Sequence, residues 1–379
     1  MIQATRRPRP AGLYVHVPFC ARRCAYCTFV TSTDLDQIGR TVDALVTEIT
    51  RIAGSSRREL ATVYLGGGTP SLLPRPELER LAAAIRNGFA VLPGAEVTLE
   101  ANPDDVGETT VAAWAALGVT RVSLGVQSFA DPVLEMLNRR HTAAEARAAA
   151  GRVQASGLQL SIDLMLALPG LHRAALDATL EETVTLVPDH VSVYLLETDK
   201  PHRLGELAGL RPDLFPSADE SARQYLAAGR ALVSAGYRHY EISNFARPGC
   251  RARHNTRYWL GQPVLAAGVA AHGQAGRRRW ANHDQLPAYL EAVETGRAPR
   301  AWTRRLGADE AVREALMVRL RLARGAPAEL VERCSGLAPA FAERLEEFFS
   351  LGLARRVGNR VRLTPRGWLL SNELLATLW

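Results

Sequence analysis

Short apolar runs recur along the first half of the chain: "LYVHV" (13–17), "TVYLG" (62–66), "EVTLE" (96–100), "RVSLG" (121–125), "LSIDLML" (160–166) and "VSVYLLE" (191–197). Between them lie Ala/Leu/Arg-rich stretches whose apolar positions repeat at helical spacing. Strand-sized runs alternating with helix-sized ones predict βα units and a parallel sheet. Six units are two short of the eight that close a full barrel. The expectation is therefore an α/β fold built on an incomplete (β/α)6 TIM-like barrel, spanning residues 10–235.

The polar residues at the strand ends change this picture from fold to site. The first strand runs into cysteines, the second into "GGGTP" and the third ends in Glu100. The fourth leads to Gln127, the fifth contains Asp163, and the sixth ends near Tyr194 and Glu197. The C-terminal ends of parallel barrel strands converge on one mouth, so these groups predict a shared site there.

Beyond residue 236 the periodicity fades. "GYRHYEISNFARPGCRARHNTRYWLGQPVLAAGVAAHG" (236–273) is aromatic and glycine-rich, and predicts irregular strands and loops packed on the barrel over 236–300. From 301 the helical pattern returns at 308–323, 326–334 and 338–351. Two short strands around a Gly-Asn turn and a last helix follow, so 301–379 reads as a winged-helix-like module. Its 13 Arg are interleaved with 9 Asp/Glu, which argues for protein contacts and against nucleic acid.

Composition narrows the class. The 379 residues are 47% hydrophobic and 22% charged, values ordinary for a folded protein. The net charge of +7 is carried almost wholly by Arg, Lys200 being the only lysine, and the charges alternate in sign along the helices as on a solvated surface. The N-terminal stretch has no apolar core of secretory type, and no run of 18 apolar residues occurs, so a cytoplasmic location is expected. Five cysteines, three of them clustered, make a poor disulfide framework and a better metal site.

Those three, Cys20, Cys24 and Cys27, stand in a C-x3-C-x2-C spacing directly after the first strand. A structural zinc would need a fourth ligand recruited from His16, Cys250, His254 or Cys334. A four-iron cluster on three thiolates instead leaves one iron open to a ligand. "GGGTP" lacks the spacing of a Walker or dinucleotide loop. Its three glycines serve either a tight strand-to-helix turn or a close backbone approach to a ligand.

With Tyr26 before the last cysteine, this spacing resembles the signature of the radical S-adenosylmethionine (SAM) superfamily. The resemblance implies a partial barrel of the radical SAM type, a [4Fe-4S] cluster on Cys20, Cys24 and Cys27, and SAM chelated to the open iron and cleaved by one electron to a 5′-deoxyadenosyl radical. It also implies SAM contacts at Tyr14, Tyr26, Gly67, Gly68, Thr69, Glu100, Gln127, Asp163 and Arg139, with Arg140 a neighbouring candidate for the last.

"YVHVPFC", "GGGTPSLL", "EANPD", "SLGVQSF" and "IDLMLALPG" together resemble the oxygen-independent coproporphyrinogen III oxidase group, across nearly the whole chain. That group contains a porphyrin-forming dehydrogenase branch and a HemW-type heme chaperone branch. The dehydrogenases carry a further cysteine two residues after the third, where Phe29 stands here, and a longer N-terminal extension. "HNTRYW" (254–259) matches the H-N-x-x-Y-W motif associated with heme in the chaperones. The resemblance thus implies heme contacts at His254, Tyr258 and Trp259, with Arg251, Arg253 and Arg257 available to propionates. The partners it implies are heme-accepting respiratory proteins, at or near the inner face of the membrane, and an electron donor protein. Dehydrogenation of coproporphyrinogen III, with radical decarboxylation of its propionates, is the competing activity.

Overall fold

The structure, a computed structural model, describes residues 9–56 and 58–379. Six parallel strands form its centre: β1 (Ala11–Val17), β2 (Leu60–Gly67), β3 (Val91–Ala101), β4 (Arg121–Gln127), β5 (Gln159–Leu166) and β6 (His190–Leu195), each paired with the next. Each expected strand is present, longer by a few residues in most cases. Helices such as Ile38–Ser55, Arg75–Gly88, Ala143–Ala155 and Arg173–Thr185 form the crossovers.

Alternation along these strands separates two faces. Leu13, Val15 and Val17, then Val63 and Leu65, Leu99, Val122, Leu124 and Val126, and Ile162 and Leu164 are buried in one continuous core. Their neighbours are polar or small: Tyr14 and His16 on β1, Tyr64 and Gly66 on β2, Thr98 and Glu100 on β3, Ser123 and Gly125 on β4, and Ser161 and Asp163 on β5. Register sets Tyr14 beside Tyr64, Glu100 beside Ser123 and Gly125 beside Asp163. The apolar set drives folding against the helices. The polar set lines the opposite, inner face.

Residues 236–300 are more regular than their texture predicts. β7 (Arg238–Glu241) and β8 (Asn244–Ala246) extend the sheet antiparallel beyond β6. β9 (Val264–Ala267) pairs parallel with β1, and β10 (His272–Ala275), β11 (Arg278–Asn282) and β12 (Arg300–Arg305) follow antiparallel. The result is one twelve-stranded sheet with β12 and β7 at its edges, the first strand lying inside it. These strands are short, β8 and β9 are buried throughout, and β12 carries Arg and Trp302 at solvent positions, so neither length nor an apolar alternation betrays them.

The last part of the chain forms helices Ala308–Leu320, Ala328–Leu337 and Pro339–Ser350, then β14 (Ala354–Val357) and β15 (Arg360–Leu363), joined by Gly358 and Asn359. A two-residue strand, β13 (Ala326–Pro327), adds to β15, and two short helices end the chain. Leu316, Phe341, Phe348, Trp368 and Leu374 give it a core of its own. It docks through main-chain bonds from Ile242 N–H to the Arg321 carbonyl and from Ala323 N–H to the Tyr240 carbonyl, and through Trp368 edge-on to His239. Among the described residues no helix is long and apolar enough to cross a membrane.

Candidate functional site

The loop after β1 carries the three cysteines and is closed at its neck. Ser32 N–H donates to the Pro18 carbonyl and Cys20 N–H to that of Ser32. His16 reaches back from the strand, its Nε2 2.9 Å from the Val30 carbonyl and its Nδ1 3.0 Å from the Tyr14 hydroxyl. Two distant segments pin the loop's middle: Ala25 N–H donates to the Leu137 carbonyl, and Leu204 N–H donates to the Ala25 carbonyl. The cysteines are thereby held on a fixed frame and not on a free loop.

All three cysteines border one cleft of about 430 Å³ at the C-terminal ends of β1–β6, together with Tyr26, Gly67, Gly68, Thr69, Glu100, Gln127, Arg139 and Asp163. The structure thus brings together eleven of the residues singled out from the sequence. Thr69 donates its hydroxyl to Cys20 Sγ (3.4 Å), and Arg139 Nη1 donates to Cys24 Sγ (3.2 Å). Burial pushes the Cys20 thiol up to about 11 and that of Cys27 upward as well. Such thiols ionise when a cationic centre takes them as ligands. Three thiols bordering one cleft could hold an iron–sulfur cluster with one site open.

The rest of the cleft is equally specific. Gly67 sits at φ 111°, and a Cβ there would fall 2.5 Å from the His16 ring; one on Gly68 would fall 2.6 Å from the Phe19 carbonyl oxygen. Only glycine fits this cradle. Gly67 N–H and the Tyr64 hydroxyl both donate to Glu100. Burial raises Glu100 to about 7 and Asp163 to about 6, and the Asp163 charge adds to the rise at Glu100. Gln127 holds a left-handed φ of 70°, a strained backbone position for a non-glycine residue, and its buried Oε1 has no protein partner. Arg139 is fixed by donation to Asn102 Oδ1 and the Gly125 carbonyl, both at 2.6 Å, while its buried Nε has no partner. Arg140 turns away to Asp104 and Asp105, so of this pair it is Arg139 that lines the cleft. Orphaned polar atoms, a glycine cradle and an arginine beside three thiols fit a polar, amino-acid-bearing cofactor such as SAM.

Tyr14 lies outside the cleft lining, one layer deeper, between His16 and His254. The HNTRYW segment also lies elsewhere. It forms the helix Arg253–Trp259, whose first N–H groups donate to Glu96 and whose Arg257 holds the Pro263 and Pro10 carbonyls. His254 is only 1% exposed, under the opposite end of the strands. Its Nδ1 lies 2.9 Å from the Thr62 hydroxyl, its Nε2 has no partner among the described residues, and its ring packs against Tyr64 and Tyr258. Burial and nearby Arg257 depress its pKa to about 3. Tyr258 and Trp259 are half-buried, and Arg321 from the C-terminal part stacks over Trp259.

Sequence reasoning did not assign Asn102, which orients Arg139 and Thr69, or the turn around Lys200 that meets the cysteine loop. The first sits in "EANPD" beside Glu100 and was signalled by that motif. Nothing local signals the second.

The radical SAM superfamily model matches residues 14–183, and the HemN C-terminal domain model matches 306–370. The cysteine loop and the sheet that carries it are those of a radical SAM protein. Over 98% of its length the chain is 37% identical to the heme chaperone HemW of Mycobacterium tuberculosis (strain H37Rv), of which it covers 95%. It is 31% identical to HemW of Escherichia coli (strain K12), covering 97% of each chain. It therefore belongs to the HemW family. The solved structure of coproporphyrinogen III oxidase (HemN) from Escherichia coli superposes with a TM-score of 0.87 at 23% identity, covering 98% of this chain and 90% of that one, which shows a common fold.

Proposed function

We propose that this protein is a heme chaperone: it holds a [4Fe-4S] cluster on Cys20, Cys24 and Cys27, binds SAM in the adjoining cleft, and carries heme to acceptor proteins of the respiratory chain. The full-length likeness to proteins named heme chaperones carries the reading. The cleft supports it with three thiols beside a glycine cradle and a fixed arginine. Gly67, Gly68 and Thr69 present backbone to the amino-acid end of SAM, Arg139 supplies the cation for its carboxylate, and Glu100 and Asp163 offer acceptors to its hydroxyl and amino groups. Together, the cluster and SAM would supply one-electron chemistry at this point. Heme is cargo and belongs with His254, Tyr258 and Trp259 in this reading; the unpartnered Nε2 of His254 is a free ligand atom once helix Arg253–Trp259 lifts. Acceptors at the inner membrane face and an electron donor protein complete the proposed set of partners.

Anaerobic reconstitution with iron and sulfide followed by heme titration tests it. About four irons per chain, lost in Cys24→Ala, and a saturable Soret band are expected. Zinc in place of iron, or protoporphyrinogen made from coproporphyrinogen, would overturn it.

A further inference from the structure

The outer part of the cleft has a chemistry that the cluster and SAM leave unused. Lys200, the chain's only lysine, borders it. Its side chain is 46% exposed, and its nearest carboxylate, Asp199, is 3.8 Å away, beyond hydrogen-bonding distance. The turn that carries it is rigid. His202 Nδ1 accepts from Gly205 N–H while its Nε2 meets the Glu197 carbonyl. His202 N–H donates to the Lys200 carbonyl, and a Cβ on Gly205 would fall 2.3 Å from that same oxygen. Leu204 N–H then ties the turn to Ala25 in the cysteine loop. Arg22 and Arg23 from that loop border the same cleft. Arg23 is spent on the Cys27 carbonyl, whereas Arg22 makes only a 3.4 Å contact with Asn138. The same cleft is lined by two exposed rings: Phe29, 62% exposed, and Tyr194, 41% exposed. Glu197 is the acidic residue on this rim.

Two exposed aromatic rings in a cleft that also holds a free ammonium and a free guanidinium suit a flat, apolar ligand with two carboxylates. We propose that the mouth of the cleft is a second, outer seat for heme, distinct from the one at His254, with the heme ring against Phe29 and Tyr194 and its propionates on Lys200 and Arg22. This rests on the heme-carrier reading and deepens it. The seat is open to solvent as the protein stands, whereas His254 is enclosed, so heme reaches the mouth without movement of helix Arg253–Trp259.

The test is titration of the cluster-reconstituted full chain with hemin and with hemin dimethyl ester, whose propionates are neutral. Wild type should bind hemin at least about tenfold more tightly than the ester, the usual weight of one charge-assisted contact. Lys200→Gln should lower that preference to within about threefold, and Arg22→Gln/Lys200→Gln should abolish it. Lys200 and Arg22 are exposed, so their variants should keep the wild-type cluster spectrum. Equal binding of acid and ester by wild type, or an undiminished preference in the double variant, overturns the seat and leaves the carrier reading standing. Failure of wild type to bind either ligand overturns the carrier reading and the seat with it.

Discussion

His254 joins the two ends of the inner face. Its imidazole lies against Tyr64, whose hydroxyl donates to Glu100, which in turn accepts from Gly67. A neutral ring is required there, since burial penalises the cation. The folded pKa of about 3 lies below the unfolded value of about 6.5, so the unfolded chain binds the extra proton between them. The stability that this residue contributes is complete above pH 6.5 and is lost as pH falls toward 3. Going from pH 7 to pH 4.5 should therefore cost wild type roughly 2–3 kcal/mol more than His254→Gln, as read from paired urea melts. The raised carboxylates Glu100 and Asp163 have the opposite dependence but are common to both proteins and cancel. Parallel pH curves would show that His254 is solvated and not the internal strut described above.

At the scale of elements, the loop Gly67–Thr69 and the loop Pro18–Ser32 are bound into one unit by His16. Gly67→Ala would drive a methyl into that ring at a φ that L-residues avoid. SAM affinity should fall more than tenfold, and retained iron should fall with it because His16 anchors Val30. Equilibrium dialysis with SAM and an iron assay check both, and wild-type values for the pair would sink the coupling. The strands β1–β6 and their site-bearing ends were legible because each strand interleaves an apolar row with a polar one, and parallel strands gather their ends by geometry alone. Strands β7–β12 were not, being short and Arg-rich at the edges. Nor was the enclosure of His254: "HNTRYW" has no apolar stripe, and its burial comes from Glu96 and Thr62, strand residues more than 150 positions away. Lys200 likewise meets the cysteine loop through a tertiary bond that leaves no trace in local pattern.

For the whole molecule, the C-terminal part acts as a cover. Trp368 closes on His239, Arg321 on Trp259, and main-chain bonds join Arg321 and Ala323 to Ile242 and Tyr240. Truncation after Arg305 should uncover Tyr240 and Trp259 and lower the melting temperature by roughly 10 °C, measurable by circular dichroism; an unchanged melt would make the cover dispensable. A second consequence concerns synthesis. β1 lies between β2 and β9, and Gly12 pairs with Val264, about 250 residues later. Strands made first on the ribosome thus wait for one made late. Through most of translation the three cysteines hang from a strand with one edge bare, and the Ala25 carbonyl lacks its partner until Leu204 has emerged. The proposed cluster would therefore load onto a nearly finished chain, and a cell starved of cluster precursors should accumulate completed but metal-free protein in place of stalled fragments.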